Sequence, residues 1–156
     1  MSETARIAEQ LRRAFDGEAW HGDSVLEILE GVNAAMAAAR PIANAHSIWE
    51  LLLHIAAWDD AIRRRLDSRD AITLTDAENF PAITDSSPKA WEEAMQKAVH
   101  AHRELVKRVE ELPDARLTEH VPGKDYDIRL MLYGIVQHEL YHAGQIAILK
   151  KSATRS

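Results

Sequence analysis

The residues His138-Glu139-Leu140-Tyr141-His142 place two imidazoles four positions apart, so that both leave one face of a helix and can ligate the same metal ion. The same five residues read H-E-x-x-H, in which the glutamate after the first histidine, here Glu139, is the candidate catalytic residue, a general base acting on metal-bound water. An acidic residue at that point of a helix is more often simply solvated. Such sites need a third ligand, and zincins draw it from downstream. Here residues 143–156, AGQIAILKKSATRS, contain no His, Asp or Glu, so the third ligand must come from upstream. The best-placed residue is His54, within Trp49-Glu-Leu-Leu-Leu-His-Ile-Ala-Ala-Trp58. Leu51, Ile55, Trp58 and Ile62 share its side of the helix, so its ring points into an apolar interior. An imidazole there must be bonded to a polar group such as a carbonyl or bound to a metal. His54, His138 and His142 are therefore the expected metal ligands.

The rest of the polar inventory is weaker. Gln145, one turn beyond His142, can orient a ligating ring, bond a metal-bound ligand or bridge two helices. His102 sits in an apolar seam, where a core histidine or a partner to a ligand both fit. His46 precedes a helix start and either lines the site or staples that start. His21 has no role derivable from spacing, and His100 and His120 read as surface residues. The chain has eight histidines and no cysteine, which excludes disulfides, thiolate metal sites and a cysteine nucleophile. Any metal is held by nitrogen and oxygen.

These side chains must be carried by helices. Ser47-Ile-Trp-Glu50 is a capping box that opens a helix running to about Leu66, and Arg63-Arg64-Arg65 falls in its last turn, where cations meet the negative end of the helix dipole. A second helix is expected from Ser87 as N-cap, with Pro88 at the first helical position, to about Leu112. Along it Trp91, Met95, Ala98, His102, Leu105, Val109 and Leu112 alternate at four and three residues, the seam of a helix packed lengthwise in a bundle. A third runs from about Asp127 to Lys151 and carries His138 and His142. Gly134 inside it costs about 1 kcal/mol relative to alanine and suggests close approach of a helix or a ligand. Upstream, Glu3 to Phe15 reads as a helix and Asp23 to about Arg40 as a helical region interrupted near Gly31. No window alternates apolar and polar residues as a strand does, so four or five helices are expected. The long connection from Asp67 to Ser86 suggests a crossover joining two helices that run in the same direction.

At 156 residues the chain is expected to form a single all-α domain over 1–156, a four-helix bundle with an additional short N-terminal helix. A formal net charge of −6 argues against nucleic acid as a partner. With neither a signal-like N-terminus nor a run of about 18 apolar residues, the chain reads as cytoplasmic, without membrane contact.

The run His46-Ser-Ile-Trp-Glu-Leu-Leu-Leu-His54-Ile-Ala-Ala-Trp58, followed by Tyr133-Gly-Ile-Val-Gln-His138-Glu-Leu-Tyr-His142-Ala-Gly-Gln145-Ile, closely resembles the DinB/YfiT-like superfamily. Trp20-His21-Gly22 and Val121-Pro122-Gly123 extend the resemblance over nearly the whole chain. It implies a four-helix bundle in an up-down-down-up arrangement, a divalent metal, zinc or nickel, on His54, His138 and His142, and a homodimer. Relatives include S-transferases and isomerases in which the metal activates the thiol of a small cosubstrate such as bacillithiol, mycothiol or glutathione. The expected function is thus a metal-dependent thiol S-transferase acting on a small-molecule substrate. The alternatives are a metal-dependent hydrolase using Glu139 on metal-bound water, or a non-catalytic metal-binding module.

Overall fold

The computed structural model describes residues 1–153. Among them are seven α-helices and no strand: α1 (Glu3–Phe15), α2 (Val25–Leu29), α3 (Ala34–Ala38), α4 (Ile48–Arg65), α5 (Asp76–Asn79), α6 (Pro88–Glu110) and α7 (Ile128–Ala153). The all-α class is as expected. The four long helices α1, α4, α6 and α7 form the core, and α2 and α3 fill the interrupted region before α4.

The helix starts follow their sequence signals. Ser47 Oγ accepts from the Glu50 amide at 3.2 Å while the Glu50 carboxylate accepts from the Ser47 amide at 2.7 Å, which completes the capping box of α4. Ser87 caps α6, with Pro88 at the first helical position. Another box, Thr75 with Glu78, starts the single turn of α5 inside the long connection.

Contacts at the helix ends give the directions. Trp49 and Trp91, near the starts of α4 and α6, meet at 5.1 Å, and Asp67 and Arg108, at their far ends, pair at 2.7 Å. These two helices therefore run the same way, and the segment between them crosses the length of the bundle. Arg129 at the start of α7 holds Glu3 at the start of α1 at 2.9 Å. Arg65, ending α4, reaches Tyr126, just before α7, so α4 and α7 are antiparallel.

The core divides into two apolar clusters. One gathers Phe15, Trp49, Leu52, Trp91 and Ile146; the other gathers Leu11, Ile62, Leu105, Leu132 and Ile135. Burying each such side chain contributes roughly 1.5–3 kcal/mol. Between the clusters lies a layer crossed by α4 around residue 58, α6 around 102 and α7 around 139, and it holds most of the buried ionisable groups. The apolar clusters on either side supply the stability that lets this polar layer exist.

The arginine run divides as well. Arg63 and Arg64 pair with Asp60 at 2.9 and 2.8 Å, in keeping with a solvated helix end, but Arg65 turns inward and is 5% exposed. No described helix is long and apolar enough to cross a membrane.

Candidate metal centre and its cleft

His54 from α4 and His138 and His142 from α7 come together. His138 Nε2 lies 2.9 Å from His54 Nε2 and 3.2 Å from His142 Nε2. The i, i+4 spacing on α7 puts its two rings side by side, and the antiparallel α4 delivers the third across the helix pair.

Hydrogen bonds at the far side of two rings decide which nitrogen is available. His54 Nδ1–H donates to the Asn79 carbonyl at 2.7 Å, and His142 Nδ1–H donates to Gln145 Oε1 at 2.6 Å. Each bond commits the ring proton to Nδ1 and leaves a lone pair on Nε2, directed at the other rings. Gln145 thus orients the His142 ring. Two committed lone pairs beside a third Nε2 repel unless a cation or a proton lies between them. Neutral His138 can place its single proton on Nε2 and donate it to one of these lone pairs, which leaves the other unmatched, and a second proton is disfavoured: burial first, and then His142 and His54, push His138 down to about 3. Burial likewise lowers His54 and His142. A cation accepts all three lone pairs, and three neutral imidazoles are a donor set that suits a divalent transition metal. The site meets the requirements of such an ion. His138 Nδ1 is buried without a hydrogen-bond partner, so of the three rings this one alone lacks an orienting bond at Nδ1.

Asn79 and Phe80 belong to the crossing segment, and no sequence signal pointed to them as site residues. Besides its carbonyl, Asn79 offers Oδ1 to Trp58 Nε1–H at 2.8 Å. Phe80 stacks on the His54 ring at 4.1 Å, and His46 stacks on the other side of Phe80 at 3.9 Å. His46 therefore reaches the site through Phe80. His21, His100 and His120 are exposed.

The histidines stand at one end of a cleft of about 560 Å³ between α4 and α7. Trp58, Ile62 and Arg65 line it from α4, and Met131, Ile135 and Tyr141 from α7. Gly134 also lines it, and a β-carbon there would meet nothing within 4 Å. The glycine opens space in the cleft, and among the described residues no helix packs closely against it.

Glu139 requires a correction. Successive residues on a helix are turned by about 100°, so the neighbour of His138 faces elsewhere. Glu139 is 0% exposed, does not line the cleft, and is neither solvated nor placed to act on water at the histidines. Its Oε1 lies 3.0 Å from His102 Nδ1, and Asp59 Oδ2 lies 3.3 Å from the same nitrogen. His102 thus bonds Glu139, the residue after His138, and its ring stacks on Phe15 at 4.2 Å. Burial pushes Glu139 up to about 8, and the nearby Asp59 charge adds to it. Burial also raises Asp59. For His102 burial acts downward, but the two carboxyl groups together overcome it and raise the imidazole to about 9. The combination with no net charge is one imidazolium, one carboxylate and one carboxylic acid. This trio joins α4, α6 and α7 directly behind the histidine cluster. Asp59 escaped the sequence reading, although Ile55, Asp59, Ile62 and Leu66 set it within an apolar stripe.

No curated protein and no solved structure gives a significant match to this chain. The family model of the DinB superfamily does match, over residues 19–146, a span that contains His54, His138, His142 and the trio behind them. The chain belongs to the DinB superfamily.

Proposed function

We propose that the protein is a divalent-metal-dependent enzyme that transfers a low-molecular-weight thiol to a small electrophilic substrate. The observation that carries this reading is the lining of the cleft, which holds three imidazoles, an amide, an arginine and apolar or aromatic side chains, and no carboxylate among the described residues. Metal-bound water ionises at about pH 7 without a base, but a hydrolase also needs an acid to protonate its leaving group, and the described cleft offers no carboxyl for this while Glu139 faces the other way. Addition of a thiol, with a pKa of about 8.5, to an electrophile needs no such acid. A zinc or nickel ion on His54, His138 and His142 would supply Lewis acidity that draws the thiol pKa down further.

The chain's own residues hold and shield. His54 and His142 are kept in the ligating tautomer by Asn79 and Gln145. Trp58, Ile135 and Tyr141 pack along the cleft and exclude water from the substrate body. The chain has no cysteine, so the reacting thiol must arrive with the cosubstrate. This reading places the protein in the cytoplasm, where small thiols stay reduced.

The test is to load the protein with zinc or nickel and incubate it with a panel of low-molecular-weight thiols and monochlorobimane, following adduct fluorescence. Adduct formation above the rate of the metal-stripped protein is expected for at least one thiol. Equal rates with and without metal across the panel would overturn the proposal.

A further inference from the structure

Arg65 presents a charge that the fold leaves uncompensated. Its residue is 5% exposed, yet no described carboxylate pairs with it. Asp67 and Glu119, which line a surface pocket together with Arg65, are engaged by Arg108 at 2.7 Å and Arg116 at 2.9 Å. Arg65 Nε donates to the Ile72 carbonyl at 3.0 Å, Nη1 reaches the Tyr126 hydroxyl at 3.4 Å, and the guanidinium lies 5.3 Å from the centre of the Trp58 ring. A guanidinium has five N–H donors, and these contacts use two. They fix the plane of the group without neutralising it. Buried charges are ordinarily paired, because an unpaired ion loses its hydration without recompense.

Its position indicates what supplies the missing charge. Trp58, Ile62 and Arg65 follow His54 at spacings of four, four and three on one face of α4, and all line the cleft. The cleft is therefore elongated, with histidines at one end and Arg65 eleven residues away, about 16 Å along the helix axis. Arg65 is the one lysine or arginine among the described lining residues, so the match is to a monoanion. The planar guanidinium fork suits a carboxylate.

We propose that the cleft takes an elongated ligand whose carboxylate pairs with Arg65, whose apolar body lies along Trp58 and Ile62, and whose other end reaches the histidines. This deepens the reading of the cleft as a substrate site by giving the substrate its chemical class. It also favours a carboxylate-bearing thiol or acceptor over an uncharged one. The Arg65 subsite rests on an observation separate from the metal centre and can be tested without it.

The experiment titrates metal-free full-length protein with octanoate and with octanamide, by calorimetry and by tryptophan fluorescence, since Trp58 borders the expected path. The two probes share a shape and differ in charge. Octanoate is expected to bind at least about tenfold more tightly, as for one charge-assisted hydrogen-bonded pair. That advantage is expected to vanish in Arg65→Gln and to survive in part in Arg65→Lys, with far-UV circular dichroism confirming the fold. Equal binding of the two probes to the wild type, binding of neither, or an octanoate advantage that persists in Arg65→Gln would overturn the assignment. The probes carry no thiol and the protein no metal, so these outcomes are independent of the S-transfer assay. If Arg65→Gln does not fold, the wild-type comparison still decides.

Discussion

Replacing His102 by leucine removes the cation from the buried trio and leaves Asp59 and Glu139, both 0% exposed, facing each other. Two independent lines give the magnitude. Breaking a buried ion pair by deleting one partner costs about 3–5 kcal/mol. The imidazole is raised from 6.5 to about 9, and at about 1.4 kcal/mol per pKa unit this corresponds to roughly 3 kcal/mol of differential stabilisation. Against a total stability of about 5–15 kcal/mol for a domain of this size, either figure is large. The sign of the pH dependence follows from the raised pKa. His102 binds its proton more tightly folded than unfolded, so its contribution is complete below pH 6.5 and is lost as the pH climbs through about 9. Urea denaturation of metal-free protein at pH 6 is the assay, below the range in which Glu139 ionises. His102→Leu should be about 3 kcal/mol less stable than wild type there. An absent gap would refute the reasoning. A triple variant, Asp59→Leu, His102→Leu, Glu139→Met, should recover most of the loss, because it removes the desolvated charges together.

Two further predictions concern the ligands' neighbours. Gln145→Leu removes the bond that holds His142 in the ligating tautomer, and zinc affinity measured by chelator competition should fall about 10- to 100-fold; an unchanged affinity would remove Gln145 from its positioning role. Glu139→Gln should leave zinc stoichiometry and any thiol turnover intact. The carboxyl is held protonated up to about 8, so glutamine resembles its state at neutral pH. Turnover abolished with zinc still bound would restore Glu139 as a general base.

Much of the site was legible because helical periodicity is a strong constraint. The spacing of His138 and His142 gives them a shared face, the composition after residue 142 points any third ligand upstream, and the apolar flanks of His54 turn it inward. The capping residues Ser47 and Ser87 likewise determine their helix starts through local bonds alone. Partners that depend on the packing of remote segments were not legible. Glu139 looked catalytic because H-E-x-x-H is read along the chain, but its environment is set by α4 and α6 supplying Asp59 and His102. Asn79 and Phe80 lie in a connection whose only local signal is the Thr75–Glu78 capping box, and that box does not reveal that the turn closes over His54. Arg65 was grouped with Arg63 and Arg64 as a helix-end charge, whereas its four-four-three spacing from His54 through Trp58 and Ile62 was the available sign that it faces inward. The helical spacing of Asp59 was an equally available sign of burial.

The central claim is that three imidazoles from α4 and α7 hold one divalent metal ion. Elemental analysis of purified wild type beside His54→Ala and His142→Ala, each after dialysis against equimolar zinc and nickel, addresses it most directly. The account predicts about one equivalent of metal in the wild type and loss of most of it in each variant, with all three proteins retaining helical circular dichroism. A wild type that holds no metal, or variants that hold as much as the wild type, would contradict it.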